Sequence, residues 1–525
     1  MQVISRILGP DSPPWRAALL VALVAFVLYL PSLRGQLIYD SILQVGLDDY
    51  IHQPANFADV VSLRVLSLDE IDRNRPVQLA SLMMDASIWG KNPFGFRLTS
   101  SLLHAATGAL LFLAAVRLMG ARSRMSDLAA LVGALFFVLH PLCVETVCEP
   151  SNREDLLAGF FLLLGLVLFL GPPPGSSALA VLRGAAVVLC SFLSAGSKEV
   201  GWIAPFVIAT AWWFVVRPRY GVRRADLATL VACTLAVGSL AGAITLLKPD
   251  RSDIFVVTPE PWPWSRWMDL QPEIFAGQLE RLVFPLRLCA DYYRENLAPW
   301  NVPLLWLVPV LLALMSAIAA WRWPASRTGI ALTIFALLPS ANLIGQFNPL
   351  ADRFLYLPLA GLVLAFVPPL ASAFSRIARP SSRAVAALLV ALVFLSFSVR
   401  TLAYQRVWDN ERSLWDATLA GNPRSWNALL GAGVARFEAG EISAAGPFWS
   451  EMRRCQPDDA VSLMLIAMLE EEQGSPREAD RLFARALQAE PALAEPDRFA
   501  RYYGWRPRMR AVLDSLLSRA KLDGR

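Results

Sequence analysis

Five short polar clusters in an otherwise apolar chain hold the residue types that could do chemistry. Asp40 and the pair Asp48-Asp49 lie in one polar stretch. Glu145 and Glu149 stand four apart, Arg153, Glu154 and Asp155 follow, and Lys198-Glu199 and Asp352-Arg353 complete the set. A carboxylate in such company can take a proton from an attacking hydroxyl, and a cation can stabilise a phosphate oxygen as it leaves. Glu145 and Glu149 share one helical face and should look into one cavity. Glu145, Glu149, Asp40 and Asp155 could gather oxygen ligands around a divalent cation. They are as readily the partners of Arg153 and Lys198, and no metal site is expected. The chain has no G-x-x-x-x-G-K-[ST] loop, no strand followed by G-x-G-x-x-G, no H-E-x-x-H and no G-x-S-x-G, which leaves out the common nucleotide, zinc and serine-hydrolase devices.

The elements that must position these residues are long apolar runs. Of 525 residues 55% are hydrophobic and 17% charged, and mean hydropathy is +0.45, against roughly 25% charge in a soluble domain. Charge is also uneven: 35 of the last 120 residues carry it, but only 56 of the first 405. A polytopic membrane part over 1–405 followed by a soluble domain over 406–525 is the expected organisation. Runs of spanning length occur near 16–33, 97–118, 127–148, 154–171, 178–197, 199–216, 226–248, 300–320, 327–346, 354–374 and 383–404, about eleven crossings. The first is followed by a polar loop without a small-residue cleavage site and reads as a retained helix. One set of connecting loops carries 15 cations and three acids, the other 16 cations and 22 acids. The positive-inside rule makes the first set cytoplasmic, which puts the candidate residues and the C-terminal domain on the outer side. Nearly all the ionisable residues named above fall at the outer ends of their spans, where they suit an outward chamber better than an ion path. His104 sits deeper. Six scattered cysteines read as small core residues.

The tail repeats at a period of 34. Asn422-Pro423, Gln456-Pro457 and Glu490-Pro491 are so spaced, as are Gly440 and Gly474, and Ala445 and Ala479. That is tetratricopeptide arithmetic, helix–turn–helix with a proline opening each unit. Segment 408–420 reads as a preceding second helix and 497–520 as a cap, needed because three units cannot bury their own ends. The array is either a scaffold for a partner or a groove that delivers an acceptor chain.

An outer site has no nucleotide supply, so a transfer reaction there needs a donor activated beforehand. In a membrane that donor is a lipid-linked phosphate. Gly35-Gln-Leu-Ile-Tyr-Asp40, Arg75-Pro76, Trp89-Gly90, Gly95-Phe96 and His104 follow one another in order. Leu139-His140-Pro141 comes next, with Glu145, Arg153 and Asp155-Leu-Leu, then Ser197-Lys198-Glu199, Phe284-Pro285, Asp291-Tyr292 and Arg353-Phe-Leu-Tyr356-Leu-Pro358. Together with the repeats this ordered set resembles the membrane O-mannosyltransferases that bear tetratricopeptide repeats, within the GT-C glycosyltransferase superfamily.

The resemblance implies an all-α fold of GT-C type and an inverting transfer of a sugar, mannose in that family, from a polyprenyl phosphate to a protein hydroxyl. Asp40 would be the base, with Lys198, Arg353 and Arg153 on the phosphate, and with Asp48, Asp49, His140, Glu145 and Tyr356 lining the substrate site. Ser41 stands where the family usually has a second acid, which Asp48 or Asp49 could supply, and Arg97 and Ser100 stand where His and Asn are expected. Each assignment has a plainer counterpart. Asp40 could cap a surface helix, Lys198 anchor a helix end, Arg153 and Arg353 pair locally with adjacent acids, and His140 bond backbone freed by Pro141. The tryptophans 262, 264, 267 and 300 with Arg266 read as an interfacial belt, and 271–288 as an amphipathic helix in the interface. No cofactor and no nucleic-acid partner are expected. The bilayer, the lipid-linked sugar and an acceptor protein or glycan are. The Ala/Arg/Leu-rich texture points to a bacterial inner membrane with a periplasmic tail, and an endoplasmic-reticulum location would have the same topology. The competing expectation is a non-catalytic membrane-anchored scaffold built on a degenerate transferase body, which the Ser41, Arg97 and Ser100 departures favour.

Overall fold

The computed structural model describes residues 8–247, 264–283, 285, 288–292, 307–341, 350–457, 459–495 and 506–522, and these are helical and coil throughout, without a strand among them. Each of the eleven apolar runs meets a helix. Seven described helices are long and apolar enough to cross a membrane: Trp15–Arg34, Pro93–Met119, Ser177–Ser197, Glu199–Tyr220, Arg224–Leu246, Asp352–Arg376 and Pro380–Trp408. Arg124–Leu139 and Arg153–Phe169 have 16 and 17 residues, and Leu307–Arg322 and Ser326–Leu337 have 16 and 12. The run 127–148 is broken where Pro141 forces His140 to an extended ψ of 124°, and a short helix, Cys143–Cys148, carries the chain on. Leu19, Leu23, Val27, Val181, Leu235, Leu388 and Leu392 are exposed on these helices, as lipid-facing residues must be where no water can satisfy polar groups.

Helix Pro93–Met119, 27 residues and so about 40 Å long, sets the axis of the body. Near its start the Phe96 carbonyl accepts from Arg153. At its far end Arg219 donates to the carbonyls of Arg117 and Leu118. The cation-rich loops therefore gather at one end and the candidate residues at the other.

The tail forms antiparallel helix pairs, Trp426–Glu438 with Ile442–Cys455 and Ala460–Glu472 with Pro476–Ala489. Gly440 and Gly474, 34 residues apart, turn each pair at φ +81° and +79°, a region costly for any residue with a Cβ. Helix Pro507–Leu522 closes the array with Met509, Leu513 and Leu516 buried on it. The expected cap residues 497–505 lie outside the described residues. The apolar cores do not divide at 405/406: Trp408, Leu414, Trp415, Ala428 and Ala432 belong to the core of the membrane body, and the repeat core begins at Leu429.

Two expectations change. Segment 271–288 does not lay its apolar face on lipid: Ile274, Leu279 and Leu282 are buried in protein, and Gln278 on that side donates to the Ser340 carbonyl. A polar group among the apolar ones needs a protein partner, which places the face in the core. Of the cysteines, Cys455 is exposed and Cys289 half-buried, whereas the other four are core residues. The side chains of Trp262, Trp264, Arg266, Trp267 and Trp300 and the residue Phe284 lie outside the described residues.

Candidate active site

A cavity of about 570 Å³ opens beside the loop that follows the first span. Asp40, Gln44, Asp72 and Arg75 come to it from that loop, Asn152, Glu154 and Asp155 from the start of helix Arg153–Phe169, Lys198 and Glu199 from a helix junction, and Arg353 and Phe354 from the turn before Tyr356. Leu43, Val200, Ala336, Pro339 and Leu357 supply an apolar side. The sequence-predicted Asp40, Lys198 and Arg353 thus share one cavity.

Local chemistry fixes each of them. Tyr39 takes the left-handed conformation, φ +53°, which turns the next residue, Asp40, toward the cavity. The Ser41 hydroxyl accepts from the Ile38 amide at 3.1 Å and donates to the Ile38 carbonyl at 2.6 Å, and the Ser41 amide donates to Glu149 Oε1 at 2.8 Å. A π-helical turn, Ile42–Leu47, follows. Lys198 ends helix Ser177–Ser197 in an extended conformation. Its chain folds back so tightly that a Cβ on Gly201 would overlap the Ser194 carbonyl, so only glycine fits there. Arg353 lies on the 3-10 turn Asp352–Leu355.

The charges are nearly all paired. Arg353 Nη1 meets Glu145 Oε1 at 2.5 Å, and its amide donates to Glu145 Oε2 at 3.2 Å. Lys198 Nζ lies 2.6 Å from Asp155 and 3.2 Å from Glu154. Arg75 reaches Asp72 and Glu154 at 3.0 Å and Glu199 at 3.5 Å, and Asp72 also accepts from Gln44. Asp40 is the exception: among the described residues its carboxylate has neither hydrogen bond nor ion pair. It is exposed to the cavity, but the protein surrounding it holds its carboxyl up at about 6. Arg353 opposes that rise, and the charges of Asp72, Glu154 and Glu145 add to it. Glu149, buried behind the loop, is pushed up to about 8 by its burial, against the hydrogen bond from Ser151. A carboxylate with no partner among the described residues, held near 6 in one cavity with three cations, is equipped to accept a proton at neutral pH.

The other expected site residues lie elsewhere. Arg153 is wholly buried on the far side of its helix, paired with Asp85 at 2.6 Å and donating to the Ser81 and Phe96 carbonyls; it is a structural ion pair. Glu145 and Glu149 do not look into one cavity. Each backs it from behind, Glu145 bound to Arg353 and Glu149 to the Ser41 amide, although the two stay one helical turn apart, with the Glu149 amide donating to the Glu145 carbonyl at 3.2 Å. His140 Nδ1 accepts from the Leu142 amide at the kink, and its ring packs on Phe136 and Phe397. Tyr356 is buried with its hydroxyl 3.0 Å from His104 Nδ1. Asp48 and Asp49 line a neighbouring cavity of about 650 Å³ that shares Leu43 and Ile71 with the first. Glu154 and Glu199, members of the polar clusters, do line the cavity, whereas Arg75 and Asp72 were given no site role, although Arg75-Pro76 at a helix start and Asp72 three residues earlier mark a charged loop that must find partners. Among the described residues no three His, Cys, Asp or Glu side chains are grouped to hold a metal ion.

The departures at 97 and 100 are accounted for by packing. Arg97 donates to the carbonyls of Ser32, Gln36 and Trp408, and Ser100 lies 3.5 Å from Arg153 Nε.

No protein-family model matches the chain. It is 22% identical over 505 residues to the human Protein O-mannosyl-transferase TMTC4, covering 82% of this chain and 65% of that protein. It is 22% identical over 475 residues to the mouse Protein O-mannosyl-transferase TMTC3, covering 81% and 49%, and 22% identical over 489 residues to the human Protein O-mannosyl-transferase TMTC1, covering 82% and 54%. The chain thus spans between about half and two thirds of the length of these curated relatives. With its helical membrane body and helical repeats, this chain resembles the transmembrane protein O-mannosyltransferases over some four-fifths of its length.

Proposed function

We propose that the chain is an inverting membrane glycosyltransferase of GT-C type, acting on its outer face. It moves a sugar, mannose by analogy with its relatives, from a polyprenyl phosphate to a protein hydroxyl. The observation that carries this reading is Asp40, unpartnered among the described residues, in one cavity with Arg75, Lys198 and Arg353. Asp40 accepts the proton of the acceptor hydroxyl as that oxygen bonds to the anomeric carbon, and the bond from that carbon to the lipid phosphate breaks. The phosphate departs toward Arg353, Lys198 and Arg75. With one base and no enzyme nucleophile, the anomeric configuration inverts. The apolar side formed by Ala336, Pro339 and Leu357 suits the first isoprene units of the donor. The cationic loops at the opposite end of the body support an extracytoplasmic cavity and tail. A bacterial inner membrane is our reading of the location.

A second reading, a membrane-anchored scaffold without catalysis, has one observation in its favour. All three cations already hold acids, and acids outnumber cations in the cavity lining, with Asp40, Asp72, Glu154, Asp155 and Glu199 against Arg75, Lys198 and Arg353. A donor phosphate must then take over partners from Glu154 and Asp155. The test is incubation of the full chain in vesicles with radiolabelled polyprenyl-phosphate sugars and Ser/Thr-bearing protein acceptors. Label appearing on protein supports transfer. Absence of both label and donor binding supports the scaffold.

A further inference from the structure

The candidate base is joined to the tail by packed rings. Tyr39, the left-handed residue immediately before Asp40, has its ring 5.6 Å from that of Trp415 and 6.3 Å from that of Trp408, and both tryptophans are buried. Arg97, fully buried, ties the same loop to the tail by donating to Gln36 and Trp408 carbonyls at 2.7 and 2.8 Å, and the Gln36 amide donates to the Asp409 carbonyl at 2.8 Å. The Trp415 ring in turn lies against Gly431 in the first helix of the next repeat unit, so closely that a Cβ there would overlap the indole. A tyrosine at φ +53° is strained unless its surroundings hold it, and here the Trp408 and Trp415 rings pack against it.

We propose that the repeat tail is the positioning element for Asp40, acting along the packed line Gly431–Trp415–Tyr39, so that displacement of the Trp415 ring moves the Asp40 loop. Tyr39, Trp415 and Arg97 are positioning residues. None of them lines the cavity. An acceptor protein that engages the repeats would in this way bias the loop carrying the base. The kinetic part of this inference rests on the proposed transferase reading; the structural part does not.

The test uses the full chain in vesicles and two matched methyl insertions on one helix. Gly431→Ala displaces Trp415, whereas Gly433→Ala produces the same kind of overlap with Trp449, which lies in the repeat core and not against Tyr39. Hydrogen exchange of the loop amides, Ser41 and Ile42 above all, is measured by mass spectrometry beside transfer kinetics. Gly431→Ala is expected to speed exchange of the loop about tenfold. It should also lower kcat by about tenfold, with donor KM unchanged. Gly433→Ala should leave both as in the wild type. Tyr39→Asn, which tolerates the left-handed region but lacks the ring, should behave as Gly431→Ala does, and Tyr39→Phe as wild type. These two decide the matter if Gly431→Ala fails to fold. Loop exchange that is equal in the two glycine variants, or unchanged in Tyr39→Asn, would overturn the proposal. If the wild type transfers no sugar, the transferase reading falls, and exchange alone decides the coupling.

Discussion

Lowering the pH should switch the reaction off at an unusually high value for a carboxylate. The protein surrounding the cavity desolvates Asp40 and holds it at about 6 instead of the ordinary 3.8. Its active form is the ionised one, so activity is present above that value and lost as pH falls through it. At pH 5 a carboxyl of pKa 6 is about 10% ionised, whereas an unperturbed one would remain more than 90% ionised. The expected pH profile of kcat/KM therefore falls about tenfold between pH 7 and pH 5, with a slope approaching one decade per unit below the midpoint. The assay is initial-rate transfer at donor well below its KM, with Asp40→Glu as the companion variant to show that the titrating group moves with the side chain. Since Asp40 faces the water of the cavity, screening draws the midpoint toward the ordinary value, and a midpoint between about 5 and 6 is consistent with this geometry. Activity that stays flat down to pH 4.5, or an unaltered midpoint in Asp40→Glu, would refute the reasoning.

Two further outcomes separate the cavity from its supports. Arg353→Gln should raise donor KM more than acceptor KM, and Glu145→Gln, which loosens the same guanidinium from behind, should do so more weakly; equal effects on both substrates would count against a phosphate role. Arg153→Ala strands buried Asp85 and is expected to cost about 3–5 kcal/mol of stability, seen as a lower midpoint of thermal unfolding, while any protein that remains folded keeps its donor KM.

Much of the architecture was readable because lipid leaves little choice. Apolar runs of spanning length became helices, and His140-Pro141 broke one of them where the proline lacks a donor. The 34-residue spacing of Gly440 and Gly474 became two left-handed turns. What could not be read was direction around a helix axis. Arg153, Glu154 and Asp155 are consecutive, about 100° apart on a helix, so the two acids enter the cavity and the arginine turns away to Asp85. Glu145 and Glu149 do stay one helical turn apart, but each carboxylate is held behind the cavity wall, by Arg353 and by the Ser41 amide, partners more than 100 positions away. Arg75 lay in plain sight, but its place depends on Glu154 and Glu199, some 80 and 120 positions away, a proximity that only the packing of helix Pro76–Trp89 creates. Asp48 and Asp49 were set aside by the π-helical turn at Ile42–Leu47, which carries them past the first cavity to the next. The tail was expected to begin at 406, yet its first two tryptophans pack in the core of the body, where the Tyr39 ring meets them.

The most direct measurement is sugar transfer by Asp40→Asn alongside binding of the radiolabelled polyprenyl-phosphate sugar to the same preparation. Asparagine keeps the shape of the side chain and cannot accept the proton. The expected result is donor binding within about twofold of wild type with transfer reduced at least about a thousandfold, in line with loss of a general base. Transfer at the wild-type rate by this variant would contradict the central claim.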